Sequence, residues 1–356
     1  MIKSKKLVSM IDRPTPDTLK RSDLYRFEKN ERTTLFSEKE FKEIIASITP
    51  FDLVAYGELE PLYVSVCDWL KIDREQLLIT AGSDQGIKAV YETFISQDDE
   101  IINYSPNYAM FSVYAKMFGA VEIVKNYNEN FLIDIDELIT SISEKTRMVV
   151  ISNPGHNGVT IAEDDILRVL EHTKNTNTIV LVDEAYVDFS HVNMLGYINN
   201  YDHLLVVRTM SKAFGIASVR VGFLLACEEL IAELYRVKPV HEIDGVAAKI
   251  AKYLVENQSI KFKFVVDVNE GKQVLQERLA AMGMEVIPSD TNFMYFKLNH
   301  NVDPKQVVEQ LMDKKIFIKS PINVSPFSQY LRTTVGDAEQ MQYFCTELEH
   351  IIKSMN

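Results

Sequence analysis

The segment Leu204-Leu205-Val206-Val207-Arg208-Thr209-Met210-Ser211-Lys212-Ala213-Phe214-Gly215 is a short apolar run that breaks into hydroxyl residues, a lysine and an Ala-Phe-Gly turn. A run of four or so apolar residues bounded by turn signals is the pattern of a strand buried on both faces. The same pattern recurs at residues 77–80, 100–103, 147–152, 178–183 and 219–226. Helical stripes separate most of these runs. Ile87, Val90, Tyr91, Phe94 and Ile95 follow one helical face, and residues 111–118, 164–172 and 228–236 continue the alternation. Strands alternating with amphipathic helices predict an α/β fold whose mostly parallel sheet is covered on both sides. After residue 245 the texture changes. A long helical stretch over 245–282 leads to shorter strand-like runs at 285–287, 293–297, 316–319 and 330–334, and an amphipathic helix over 338–353 closes the chain. We therefore expect a large domain over residues 36–244, and a smaller α/β domain built from 1–35 and 245–356.

Composition narrows the classes of function. The 356 residues carry 46% apolar and 25% charged side chains with a formal net charge of -13. That balance repels phosphate backbones, so no nucleic-acid partner is expected, and any anionic ligand needs a local positive site. Cys67, Cys227 and Cys345 lie far apart, without metal-ligand spacing, which fits a reducing compartment. The basic N-terminus has no apolar run behind it, and no stretch is long and apolar enough to span a bilayer. No membrane association and a cytoplasmic location are the expectations.

In parallel α/β sheets, ligands sit beyond the carboxyl ends of the strands. The run 77–80 ends in Ala81-Gly82-Ser83-Asp84, where a helix begins. Gly82 permits close backbone approach, and free amides at a helix start suit a phosphate; Ser83 or Asp84 could instead simply cap the helix. The run 178–183 ends in Asp183-Glu184-Ala185-Tyr186. An acid there is ordinarily a turn residue, but a buried carboxylate can also keep a pyridine nitrogen protonated. Lys212 follows the third run. A lysine is usually a solvated surface group, yet this one lies between Thr209, Ser211 and a turn, with Arg220 downstream as a fork for phosphate. One phosphate cup, one carboxylate and one nucleophilic amine, each at a different strand end, match what pyridoxal phosphate requires.

On these residues the sequence resembles the fold-type I pyridoxal-phosphate aminotransferases of class I/II, near the histidinol-phosphate aminotransferase branch. The resemblance rests on Arg208 to Gly215 with Arg220-Val221-Gly222-Phe223, on Val182-Asp183-Glu184-Ala185-Tyr186, and on Leu331-Arg332-Thr333-Thr334-Val335-Gly336. It implies a transaminase in which Lys212 binds the cofactor as a Schiff base and then shuttles a proton. Asp183 would pair with the ring nitrogen, Tyr186 would meet the ring oxygen, and Tyr108 would stack on the ring. Gly82, Ser83, Asp84, Thr209, Ser211 and Arg220 would hold the phosphate, Tyr56 would reach the neighbouring site of a homodimer, and Arg332 would bind a substrate anion. Several positions depart from the family pattern. Asn153-Pro154-Gly155-His156-Asn157-Gly158 replaces the usual Asn-Pro-Asn-Asn-Pro-Thr-Gly, leaving Asn157 or His156 to meet the ring oxygen, with Asn157 favoured. Lys319 stands where an arginine is typical, the segment Lys238-Pro239-Val240-His241-Glu242 departs from a Pro-Phe-Asn type, and Asn30-Glu31-Arg32-Thr33 replaces Asn-Glu-Asn-Pro. The departures gather on the substrate side. The expected function is transamination of a small phosphorylated amino or keto compound with glutamate as donor. A decarboxylase of a phosphorylated amino acid, of the phosphothreonine or phosphoserine kind, is the alternative.

Overall fold

The computed structural model describes residues 2–11, 20–299 and 302–355; parts of the N-terminal segment assigned to the small domain lie outside them. Among the described residues the strands are β1 (Tyr25–Arg26), β2 (Leu77–Thr80), β3 (Glu100–Ser105), β4 (Val121–Asn126), β5 (Thr146–Ser152), β6 (Ile179–Asp183), β7 (Leu204–Thr209), β8 (Gly222–Ala226), β9 (Glu285–Ile287), β10 (Phe293–Lys297), β11 (Ile316–Phe317) and β12 (Tyr330–Thr334). Seven of them form one sheet in the order β2-β8-β7-β6-β5-β3-β4. β7, β6, β5, β3 and β4 pair in parallel, whereas β8 runs antiparallel to both its neighbours. Every residue of β2, β6 and β8 is buried, which explains why these strands read as continuous apolar runs rather than as alternation. The carboxyl ends of β2, β3, β5, β6 and β7 and the start of β8 thus share one edge of the sheet.

A second group holds β9, β10 and β12 in an antiparallel sheet and β1 paired in parallel with β11. Lys319 and Arg332 form an isolated antiparallel bridge that extends β11 toward β12. β1 is contributed by the first thirty or so residues, which showed no clear period; a two-residue strand is too short to produce one.

Several features differ from the sequence reading. β8 begins at Gly222, not at 219, because Arg220 takes the left-handed conformation at φ 58° and turns the chain just before the strand. The stretch 245–282 is two helices, Gly245–Glu256 and Ser259–Ala281, separated at Asn257 (φ -119°, ψ 55°). The first packs on the helix Glu60–Leu70 and the second on Ala338–Met355. β4 was not foreseen: it is an edge strand without a fully buried residue, so its apolar signal is weak.

β6 and β7 are tied just where they leave the sheet. Arg208 on β7 reaches Glu184 beyond β6 through Nε (2.8 Å) and Nη2 (2.7 Å), both to Oε2. Glu184 Oε1 accepts the Met194 N–H. The Glu184 side chain is 0% exposed and that of Arg208 11%. Removing one partner of such a pair strands a buried charge. Arg208→Met is therefore expected to cost about 3–5 kcal/mol, read as a lower midpoint in urea unfolding; an unchanged midpoint would show that the pair does not stabilise the strand ends.

Candidate active site

The strand ends and the second sheet group enclose a cavity of about 510 Å³. Ser83, Tyr108, Asp183, Tyr186, Thr209, Ser211, Lys212, Arg220, Lys319 and Arg332 all contribute to its wall. The fold thus brings together residues from five strand ends and from the bridge beside β12.

The phosphate-type cradle is built from backbone as much as from side chains. The helix Gly82–Phe94 follows β2 and is capped by no side chain, so neither Ser83 nor Asp84 acts as its cap. Its first amides are among those an α-helix leaves without internal partners. Gly82 (φ +77°) sits so close to Arg220 that a Cβ there would lie 2.5 Å from Nη2. A Cβ on Gly222 would lie 2.4 Å from the Ser83 nitrogen. Arg220 Nη1 donates to the Ala217 carbonyl (3.1 Å) and lies 3.4 Å from Ser211 Oγ, while Thr209 Oγ1 accepts the Ser211 N–H at 3.1 Å. Asp84 stands apart. It is not in the cavity wall, and its Oδ1 accepts from the Tyr114 hydroxyl at 3.1 Å.

Asp183 ends β6 inside this wall. Burial is the main influence on its carboxyl group and raises it from 3.8 to about 6. The Ala185 N–H (3.1 Å) and the Lys212 charge act against that rise, and Glu184 adds to it. A carboxylate this poorly solvated calls for a cation. Tyr108 is pushed upward, first by burial and then by Asp84, so its phenol keeps its proton. Lys212 Nζ donates to the Asn30 carbonyl at 3.0 Å and lies 3.5 Å from the Lys29 carbonyl. It also lies 5.3 Å from the centre of the Tyr186 ring. Tyr186 Oη accepts from Asn30 Nδ2 at 2.9 Å, which leaves its own proton free for an oxygen in the cavity.

On the other side, Arg332 Nη2 donates to the Glu28 carbonyl at 3.2 Å, and its Nε is buried without a partner among the described residues. It is not the surface ion pair that a strand arginine usually makes. Lys319 and Arg332 exchange backbone hydrogen bonds of 2.9 and 3.1 Å. Residues directly opposite across such a pair share a face, which explains why both cations enter one wall.

One expectation needs correction. Asn157 does not line the cavity. Its Nδ2 donates to the Phe131 carbonyl at 2.7 Å and its Oδ1 accepts the Val159 N–H, so the amide is consumed in shaping the loop. His156 lines the cavity instead, with Nδ1 buried and unpartnered among the described residues. Its imidazole is lowered to about 3, by burial first and then by Arg332 and Lys212, so it is neutral at any working pH. Tyr56 lies outside the cavity within one chain. It is 81% exposed and stacks on His241 with ring centres 4.2 Å apart, in an adjoining depression that shares Arg220. Sequence reasoning missed the wall formed by Glu28, Lys29 and Asn30; the departure at Asn30 to Thr33 from the family pattern was the available signal.

A buried acid at one strand end, an amine at the next and a glycine-lined cradle with an arginine are a donor set that fits pyridoxal phosphate, and they define a fold-type I enzyme of that cofactor. The chain belongs to the family described as aminotransferase class I and II, whose model matches residues 39–348, and is a pyridoxal-phosphate-dependent aminotransferase. It is 28% identical over 332 residues to a histidinol-phosphate aminotransferase of Caldanaerobacter subterraneus subsp. tengcongensis, covering 92% of this chain and 93% of that one. It is 32% identical over 310 residues to a histidinol-phosphate aminotransferase of Sulfurisphaera tokodaii, covering 84% and 82%. The fold matches that of the Sinorhizobium meliloti histidinol-phosphate aminotransferase solved with pyridoxal-5'-phosphate, with TM-score 0.89, 18% identity, and 100% and 99% of the two chains covered.

Proposed function

We propose that this aminotransferase moves an amino group between glutamate and a small phosphorylated amino or keto compound. The observation that carries the reading is the cross-strand pair Lys319 and Arg332, two cations on one face of the wall that holds Lys212. Two like charges side by side destabilise each other until an anion joins them, and a phosphate or carboxylate supplies it.

When bound, the cofactor supplies an electron sink for the charge left on the substrate carbon. Lys212 Nζ would hold it covalently, and once released would take and return the proton on the carbon that bears the amine. Asp183 would keep the ring nitrogen protonated. Ser83, Thr209, Ser211 and Arg220 would grip the phosphate beside Gly82, and Asp84, set behind them, would act from there beside Tyr108. Tyr108 would cover the ring. Tyr186 and neutral His156, in place of Asn157, would donate to the ring oxygen. Arg332 and Lys319 would fix the substrate anion and so choose which bond stands perpendicular to the ring.

We read the active unit as a cytoplasmic homodimer. Leu53, Val54 and Val240 lie bare near Tyr56, and apolar exposure of this kind supports a contact with a second copy whose site Tyr56 would complete.

Mixing the holoenzyme with glutamate in the absence of any acceptor tests the reaction class. One equivalent of 2-oxoglutarate per Lys212 is expected, followed by amine transfer to an added phosphorylated ketone. Carbon dioxide release without 2-oxoglutarate would overturn transamination.

A further inference from the structure

Asn30 takes the left-handed conformation at φ 54°, which asparagine tolerates better than most residues. Its N–H donates to Thr334 Oγ1 at 2.9 Å, and its carbonyl accepts from Asn292 Nδ2 at 3.1 Å as well as from Lys212. Asn292 and Thr334 are fully buried and Asn30 nearly so. The Asn30 side chain lies between the Thr334 hydroxyl, 3.4 Å from Oδ1, and the Tyr186 phenol, 2.9 Å from Nδ2. The reaction above employs Lys212 and Tyr186 but gives the residue that joins them no task.

The direction of these bonds has a chemical consequence. Thr334 Oγ1 already accepts the Asn30 N–H, so its own proton is turned toward Asn30 Oδ1. That orients the amide with its nitrogen toward Tyr186, whose oxygen accepts. A phenol has one proton to give, and with the amide as donor that proton stays available to the cavity. Resting on the reading of Tyr186 as a donor to the cofactor's ring oxygen, we propose that Asn30 is a positioning residue that aims the Tyr186 proton into the cavity, with Thr334 fixing the amide that does so. It acts through Tyr186, while its carbonyl holds the free Lys212 amine alongside.

Titration of the holoenzyme by absorbance tests this, because the spectrum changes when the nitrogen joining Lys212 to the cofactor loses its proton. Once that nitrogen is bare, the ring oxygen carries more charge, so a donor at the oxygen favours the deprotonated form and lowers the midpoint. Asp183, His156, Arg332 and Tyr295 stand around the same pair, and every variant keeps them. Asn30→Asp has the same shape but presents an acceptor, which takes the phenol proton for itself. The midpoint is expected to rise by about one pH unit or more. The new charge near Lys212 contributes a part that persists beside Tyr186→Phe, whereas the rest of the shift should vanish there. Asn30→Gly keeps the left-handed backbone and adds no charge. It should raise the midpoint by less, and not at all beside Tyr186→Phe. No shift in Asn30→Asp would mean that the amide oxygen already faces the phenol, and overturns the proposal; so does a shift of equal size with and without the phenol. An unchanged midpoint for Tyr186→Phe alone removes the reading of Tyr186 beneath the proposal, and the proposal with it. Failure of borohydride to fix the cofactor on wild-type Lys212 would refute the reading of the whole site.

Discussion

Lys212→Ala is expected to lower turnover by about 10⁴-fold or more, since the side chain serves both as covalent attachment and as proton carrier. The variant should still fold. Among the described residues Lys212 Nζ hydrogen-bonds to backbone carbonyls, those of Asn30 and, more weakly, Lys29, and although its charge favours ionised Asp183, that acid can take up a proton once the lysine is gone. The variant should also retain cofactor without a covalent link, because Arg220, Ser211 and the amide cradle are untouched. Borohydride treatment followed by peptide mass mapping gives the direct readout. The wild type should carry the reduced adduct at position 212, and the variant should carry none. Wild-type turnover in the alanine variant, or an adduct at another lysine, would remove the foundation of the functional reading.

Asp183→Asn should have opposite effects on the loaded and the unloaded protein. In the loaded enzyme the loss of the carboxylate that holds the ring proton is expected to reduce kcat by about 10²–10³-fold. In the unloaded chain the carboxylate is a burden. Its titration is raised from 3.8 to about 6, chiefly by burial, so the folded state holds this proton more tightly than the unfolded state. The resulting stability is complete below about pH 4 and is lost as pH rises through about 6, amounting to about 3 kcal/mol. Asparagine removes that dependence. The unloaded variant should therefore melt higher than unloaded wild type at pH 7.5 and much less so at pH 4.5. Cofactor should stabilise wild type more at the higher pH, where Asp183 can pair with the ring cation. Parallel melting curves for the two unloaded proteins across this range would show that the carboxylate is not strained as described.

The sheet was legible because most of its strands are buried on both faces, so the apolar runs that lead to Thr80, Asp183 and Arg208 stand out from the sequence around them. Their ends carried the site, since the residues following a buried strand have only one edge at which to emerge. β4 escaped because an edge strand mixes polar and apolar residues without a clean period. The Asn157 assignment failed for a different reason. Position in a motif does not reveal which of two adjacent polar side chains will be spent on the loop's own backbone, and here it is Asn157, through Phe131 and Val159. The wall at Glu28 and Asn30 depends on contacts across most of the chain, and no local pattern encodes those.

The hydrogen bond from Arg332 to the Glu28 carbonyl spans 304 positions. β1 likewise finds its partner only in β11. On a ribosome adding about 5–20 residues each second, the opening segment waits about 15–60 s for the residues that receive it. Lys212 is translated long before that moment, so the newborn chain exposes its amine to the cell's pool of vitamin B6 while one wall of the pocket is still unmade. Stable capture of the vitamer thus belongs to the finished polypeptide rather than to the nascent one.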